Sequence, residues 1–416
     1  MKIKIIFINV FLTLGVIDKI PQMSKVGIYI TGLGETFQQE SVEKYAARFK
    51  NELSYNSTGS IFELKTEKIN YQEDKLSTLV TIIEKKNNEE NIIYKFYDFK
   101  YREILTEKFN KYNILYKNVL LFILVVKKFP ILLKRLFFYN GYNRTGQTFY
   151  IFLIFLIISL AILFMIPSAI LALTTLINKF TELKLPFKIA NIDFTYFSVM
   201  FVMPITTLLL LIIPKSKEIV TSLATEFACV DSYIQYGDQS QLILGNLDLL
   251  IEYICETNID SKIHLHTYSL GSILALDLLY PIGNVPSNNT KNSIELLISI
   301  GTPYEFTKAY YTSFYNNRCL DMDDKLKWIN VYSISDALAT NFKKDGSIGE
   351  AEFGIKNSLL IPININYEIS PVQGFSLINF ITLYHLKIHQ HYWDASINGQ
   401  SCMRMIFNKM IAEKVF

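Results

Sequence analysis

The chain is poor in the residues that build metal and disulfide frameworks. Its 416 residues include four cysteines, five histidines and two tryptophans. Cys229, Cys255, Cys319 and Cys402 show no paired spacing. Neither a disulfide scaffold nor a cysteine zinc site is therefore expected, and the pattern fits a reducing compartment. Charge is sparse and balanced: 19% of residues are Asp, Glu, Lys or Arg, and the formal net charge is +3. The few basic residues that cluster lie beside apolar runs, which argues against a nucleic-acid partner. Internal repeats, long low-complexity tracts and a lysine-bearing phosphate loop are missing, and no cofactor is expected.

Two stretches, residues 149–177 and 194–214, lack charge altogether. As helices they would reach about 40 Å and about 30 Å, against a hydrocarbon core of about 30 Å. Both are expected to cross a membrane, where the kinks of Pro167 and Pro204 are tolerated. Half of all residues are apolar and the mean hydropathy is +0.23, with the excess concentrated in these runs. Just upstream, Val119–Val126 is apolar but edged by Lys117, Lys127, Lys128, Lys134 and Arg135, and Pro130 interrupts it. Residues 114–139 therefore read as a basic amphipathic segment lying on an anionic lipid surface.

Chemistry-bearing residues gather in the second half. Lys262-Ile-His-Leu-His-Thr-Tyr-Ser-Leu-Gly-Ser-Ile-Leu-Ala-Leu-Asp277 reads as an alternating strand, a tight turn over Thr267–Gly271 and an apolar helix. Such a turn can expose a nucleophilic serine at the carboxyl edge of a sheet, and the following helix N-terminus suits a developing oxyanion. Thr267 stands where G-x-S-x-G has its first glycine, and a buried serine that merely caps a helix is the competing reading.

Downstream, Ile294-Glu-Leu-Leu-Ile-Ser-Ile-Gly-Thr-Pro303 is an apolar strand with a sharp stop. Lys327-Trp-Ile-Asn-Val-Tyr-Ser-Ile-Ser-Asp336 is another strand, with Asp336 just past its end. His385, His389 and His391 follow near the C-terminus. Serine, then acid, then histidine is the order in which α/β-hydrolases present a triad.

Residues 262–394 resemble the serine esterase and lipase branch of the α/β-hydrolase superfamily. The marks are the Ser-Leu-Gly-Ser turn, Ile-Gly-Thr-Pro, Trp-x-Asn-x-Tyr leading to an acid, and a late His-x-x-Tyr-Trp. The resemblance implies Ser269 as nucleophile, Asp336 as acid and His389 as base, with His391 as the rival base. It implies oxyanion donors at Leu270 and, after the early strand in Lys25-Val-Gly-Ile-Tyr-Ile-Thr-Gly-Leu-Gly34, at Leu33 or Gly34.

Other candidates have simpler readings. His264 and His266 alternate onto one strand face and are expected to pack the sheet; a zinc site built from them with the late histidines has no supporting Cys or carboxylate spacing. Asp321, Asp323 and Asp324 read as a solvated turn, Asp277 as solvent-facing, and Asp394 as the cap of a last helix.

The expected architecture is an α/β-hydrolase-like, mostly parallel sheet interrupted by a two-helix transmembrane insertion. Its first part is 24–113, the insertion 114–216, and its second part, with the triad, 217–416. Strands are expected at Val26–Thr31, Ile61–Lys65 and Ile92–Phe99 with helices between them, surface turns at Lys85–Asn91 and Pro286–Asn292, and a closing helix over 395–416. If Gly27 and Ser269 belong to one sheet, the chain between them crosses the membrane an even number of times. Lys127, Lys128, Lys134, Arg135 and Arg144 before the spans and Lys215 and Lys217 after them outweigh Lys179, Lys184 and Lys188 between, which Glu182 and Asp193 partly offset. That bias puts the domain in the cytoplasm. Met1-Lys-Ile-Lys with Ile5–Ile17 looks like a signal segment but lacks a small-x-small cleavage site, and Met23 offers an alternative start.

The function expected is hydrolysis of a carboxylic ester, lipid or acyl, by a membrane-anchored serine enzyme without metal, the bilayer delivering the substrate. The alternative is an inactive hydrolase-like domain serving as a tethered binding or scaffold module.

Overall fold

The computed structural model describes residues 25–33, 40–131, 204, 228–342, 355–371, 379 and 384–416, apart from 88, 114, 115, 118, 121, 122, 125, 236 and 356. The signal-like segment, Gly34 and the span at 149–177 lie outside the described residues, as does the span at 194–214 except Pro204. Among the described residues no helix is long and apolar enough to cross a membrane.

Strand β1 (Lys25–Ile30) leads to helix α1 (Val42–Asn56), then to β2 (Ile61–Gln72), β3 (Lys75–Lys86) and β4 (Glu89–Asp98). Helix α2 (Arg102–Asn110) and, much later, α3 (Asp238–Thr257) precede β5 (Ile263–Tyr268) and α4 (Leu270–Leu279). There follow α5 (Asn288–Ser293), β6 (Ile294–Ile300), α6 (Tyr304–Tyr310), β7 (Lys327–Tyr332) and β8 (Ile363–Asn366). Helix α7 (Tyr384–Lys387), a 3-10 turn (Ile388–Gln390) and α8 (Cys402–Ala412) close the order.

All eight strands form one sheet in the order β2-β3-β4-β1-β5-β6-β7-β8. From β4 to β8 every neighbouring pair is parallel; β3 runs antiparallel to β2 and β4. The protein is thus α/β with a mostly parallel sheet. Along β1, Val26, Ile28 and Ile30 enter one core and Tyr29 the other; along β5, Ile263 and Leu265 oppose Tyr268. Period-2 alternation divides the side chains between two covered faces, as a central parallel strand requires. Helices α3 and α4 cover one face and α1 and α8 the other.

The covering helices are specified locally. In α1, Val42, Tyr45, Ala46, Phe49 and Leu53 are buried at helical spacing, and the Ser41 hydroxyl accepts from the Lys44 N–H. Helix α8 is capped the same way by Ser401, not by Asp394, which lies seven residues upstream. Glu52 of α1 accepts from Ser401 and from Arg404, clamping the two helices together.

Several expectations are corrected. Between the second and third expected strands lies β3, not a helix, and Lys85–Asn91 belongs largely to the ends of β3 and β4. Strand β2 is largely exposed and charged, whereas β3 is buried without a break over Ser77–Ile82, so neither shows the apolar–polar alternation that marks a half-buried strand. Pro286–Asn292 enters a short helix capped by Ser287. The closing helix begins at Cys402, after a loop. Asp277 is buried rather than solvent-facing: Arg318 bonds it at 2.7 Å and Tyr233 at 2.8 Å. Helix α4 is apolar on every side, so helical spacing could not mark its outward face.

Strand β1 sits between β4, reached through the α1–β2–β3 excursion, and β5. The chain's direction of travel across the sheet reverses there. Crevices at such reversals, outside the carboxyl ends of parallel strands, are where open α/β sheets bind ligands.

Candidate active site

Ser269 stands between β5 and α4 with φ 50° and ψ −122°. For a non-glycine residue this backbone costs on the order of 1–3 kcal/mol and persists only where its surroundings enforce it. Three contacts do so. The Ser269 N–H donates to the Ile300 carbonyl at 2.8 Å, and the Ser272 N–H donates to the Ser269 carbonyl at 3.0 Å. Gly271 lets α4 touch the end of β1: a Cβ there would lie 2.4 Å from the Ile30 oxygen and 2.7 Å from the Thr31 oxygen.

Thr267 fits this elbow through its hydroxyl. It donates to the Ile298 carbonyl at 2.9 Å, and its oxygen is 2.9 Å from the Ser272 hydroxyl, which must then be the donor between them. A β-branched residue is accommodated because both of its polar contacts are made within the sheet and the helix it precedes.

His389 bridges Ser269 and Asp336. Its Nε2 is 2.7 Å from the Ser269 hydroxyl and its Nδ1 is 2.8 Å from Asp336 Oδ2. The carboxylate fixes the tautomer: Nδ1 carries the proton donated to Asp336, which leaves Nε2 of the neutral ring to accept from the serine. Ser269, Asp336 and His389 are all buried. His391 points elsewhere; it is exposed, with Nδ1 2.8 Å from Asp394.

Asp336 follows the turn after β7. The Leu338 N–H donates to its Oδ1 and the Tyr392 hydroxyl to its Oδ2, both at 2.8 Å. Burial pushes the carboxyl pKa up, but the charge and hydrogen bond of His389 and the donors from Leu338 and Tyr392 outweigh it, so the net shift is downward. Tyr392, held well above the usual tyrosine pKa by burial and by Asp336, keeps its proton and remains a donor.

The histidine turn is fastened to the acid loop and to β5. His385 Nδ1 donates to the Ser335 carbonyl at 2.8 Å, and the Ala337 N–H donates back to the His385 carbonyl at 3.1 Å. Tyr268, next to the serine, donates to the His389 carbonyl at 2.7 Å. Gly301, at φ +60°, leaves room for the imidazole: a Cβ there would lie 3.0 Å from His389 Cε1. These supporting residues were not assigned a role from sequence. His385 precedes His389 by four residues and Tyr392 follows by three, so helical spacing held the only local signal.

Of the expected oxyanion donors, Leu270 is the first residue of α4, where a helix leaves its N–H without an intrahelical acceptor. Leu33 is buried and lies two residues past Thr31, whose carbonyl oxygen is one of the atoms that crowd Gly271. Gly34 lies outside the described residues.

His264 and His266 lie under the sheet, away from this constellation. Both are buried, bonded to Tyr94, Tyr45 and Glu295. Among the described residues no group of three His, Cys, Asp or Glu side chains could hold a metal ion.

No protein-family model matches the chain, and it matches neither a curated protein nor a solved structure.

Proposed function

We propose that this chain is a membrane-anchored serine hydrolase of the α/β-hydrolase kind, cleaving carboxylic esters, lipid or acyl, through an acyl-enzyme. The observation that carries the reading is the single imidazole of His389 bonded at once to Ser269 and Asp336. In this reading the Ser269 oxygen attacks the ester carbonyl while His389 Nε2 takes its proton. Asp336 holds the ring in place and offsets the charge of the imidazolium. The Leu270 N–H, with one from Leu33 or Gly34, stabilises the oxyanion. His389 then protonates the departing alcohol, and water repeats the sequence on the acyl-serine.

Residues 24–113 and 217–416 would form the enzyme and 114–216 its membrane insertion, with the enzyme in the cytoplasm. The two charge-free runs in the sequence support the anchor. Labelling by a fluorophosphonate probe tests the chemistry. Wild type and His391→Ala should label, whereas Ser269→Ala and His389→Ala should not. A folded wild type that does not label would refute the enzyme and leave a tethered binding module.

A further inference from the structure

Strand β8 is the last of the sheet and only four residues long, yet its register bears on the acid loop. It runs parallel to β7 with Asn366 beside Tyr332, and the Tyr367 N–H donates to the Tyr332 carbonyl at 2.8 Å. The two chains therefore stay side by side past their strand ends, and Glu368 comes to stand next to Ile334. Glu368 is 9% exposed, and both of its carboxyl oxygens accept from the loop that leads to Asp336. Its Oε1 takes the Ile334 N–H, and its Oε2 takes the Ser333 hydroxyl at 2.7 Å. Ser333 Oγ accepts in turn from the Ser335 N–H at 3.1 Å, so the one hydroxyl proton is committed to Glu368. Directly or through Ser333, Glu368 holds all three residues that precede the acid.

Side-chain packing does not set this turn. Ile334, at its centre, is 39% exposed, and the turn is closed by the Asp336 N–H donating to the Ser333 carbonyl at 3.2 Å. Polar contacts fasten it from two sides, His385 reaching the Ser335 carbonyl and Glu368 reaching Ser333 and Ile334. Glu368 also meets the chain that carries the base. Its own carbonyl accepts from the Ile397 N–H at 2.9 Å, in the loop that follows His389 and Tyr392. One residue thereby registers the turn of the acid against the segment of the histidine.

We propose that Glu368 is a positioning residue for the Asp336–His389 pair, setting the turn from which Asp336 reaches His389 Nδ1. It acts through Ser333 and Ile334 and not on substrate. Its effect on turnover rests on the serine-hydrolase reading, whereas its effect on the Asp336–His389 bond does not. A turn freed from Glu368 lets the carboxylate draw back from the imidazole. That bond matters most when the ring is charged, in the transition state, so the loss falls on kcat and leaves ester binding alone. Glu368→Gln is the informative change. It keeps the size of the side chain and one acceptor for the Ile334 N–H, but its amide nitrogen cannot accept from Ser333.

The full chain is compared with Glu368→Gln, Ser333→Ala and the double variant. Two quantities are read: turnover of a soluble ester, and the downfield proton resonance of His389 Nδ1–H, assigned by its loss in His389→Ala. In Glu368→Gln kcat should fall about tenfold at an unchanged KM, and the resonance should move upfield. Ser333→Ala should do the same, and adding Glu368→Gln to it should cost nothing further, since one hydrogen bond carries the effect. An unchanged kcat, a loss confined to KM, or losses that multiply in the double variant would overturn the proposal. So would a resonance that is unmoved in Glu368→Gln or absent from wild type. A wild type without turnover whose resonance still moves in Glu368→Gln would refute the hydrolase and keep the role of Glu368.

Discussion

Gly271 approaches Ile30 so closely that a Cβ at position 271 would sit 2.4 Å from the Ile30 carbonyl oxygen. The obstacle is strand backbone, which cannot swing aside as a flexible side chain would. Gly271→Ala must therefore push α4 away from β1 and relax the Ser269 turn. The expected outcome is a stability loss of about 1–3 kcal/mol in urea unfolding, with fluorophosphonate labelling lost before the fold is. Unchanged labelling would show that the contact does not set the serine.

Tyr392→Phe removes the hydroxyl that donates to Asp336 Oδ2 at 2.8 Å and accepts from the Ser333 N–H at 3.0 Å. The depressed Asp336 carboxyl stabilises the fold above its unfolded pKa of about 4, and that contribution is lost as pH falls through the folded value. Without the tyrosine hydroxyl the folded value rises. Acid unfolding should then begin at a higher pH than in wild type, and kcat/KM on a soluble ester should fall roughly tenfold, ~1.4 kcal/mol. An unmoved acid-unfolding midpoint would reduce Tyr392 to packing.

A one-way chain of hydrogen bonds runs beneath the sheet. Glu295 accepts from His264 Nε2 at 2.9 Å, which leaves His264 Nδ1 to accept from Tyr94 at 2.8 Å. The Tyr94 oxygen must then accept from His266 Nε2 at 2.9 Å, and His266 Nδ1 accepts from Tyr45 at 2.8 Å. Nitrogen NMR should find both rings neutral with the proton on Nε2; a proton on Nδ1 of either would break the chain. Desolvation lowers both pKa values, against the Glu295 bond in His264 and with help from His264 in His266. An unfolded histidine takes its proton near pH 6.5, so this contribution to stability is lost as pH falls below about that value. Replacing Glu295 by Gln should leave His266 as buried but free the direction of the chain.

Arg318 and Asp277 form a buried pair at 2.7 Å, with side chains 1% and 3% exposed. Arg318→Met strands the carboxylate beside Tyr233 and should cost about 3–5 kcal/mol. Adding Asp277→Leu should recover most of that loss. A double variant no better than Arg318→Met would mean that the pair's hydrogen bonds to Phe314 and Tyr280 matter more than its charge.

How far these relationships could be read from the sequence depended on whether they were local. Strand β5 with the Ser269 turn, and β7 with the acid past it, are each announced by residues within about ten positions, so Ser269 and Asp336 are legible at strand ends. Spacing could not choose between His389 and His391, because their difference is which side of a 3-10 turn faces the sheet. Asp277 was misread because its partner, Arg318, is forty-one residues away and no periodicity in α4 marks an outside. The β3 strand is not legible because Ser77–Ile82 are buried on both faces, and a continuous buried run has no period of its own to tell a strand from a helix.

The pairing of Val26 with Ile263 has a consequence for the timing of folding. Strand β1, Lys25–Ile30, is synthesised well before its neighbour β5, Ile263–Tyr268, which arrives only after everything between them. At about 5–20 residues per second, that wait is on the order of 10–50 s. Through it, β1 can pair with β4 but keeps its other edge open, and an open apolar edge is a template for the wrong partner. Nascent chains halted before residue 263 should therefore aggregate or be held by chaperones, and release should coincide with the emergence of the segment that carries the serine.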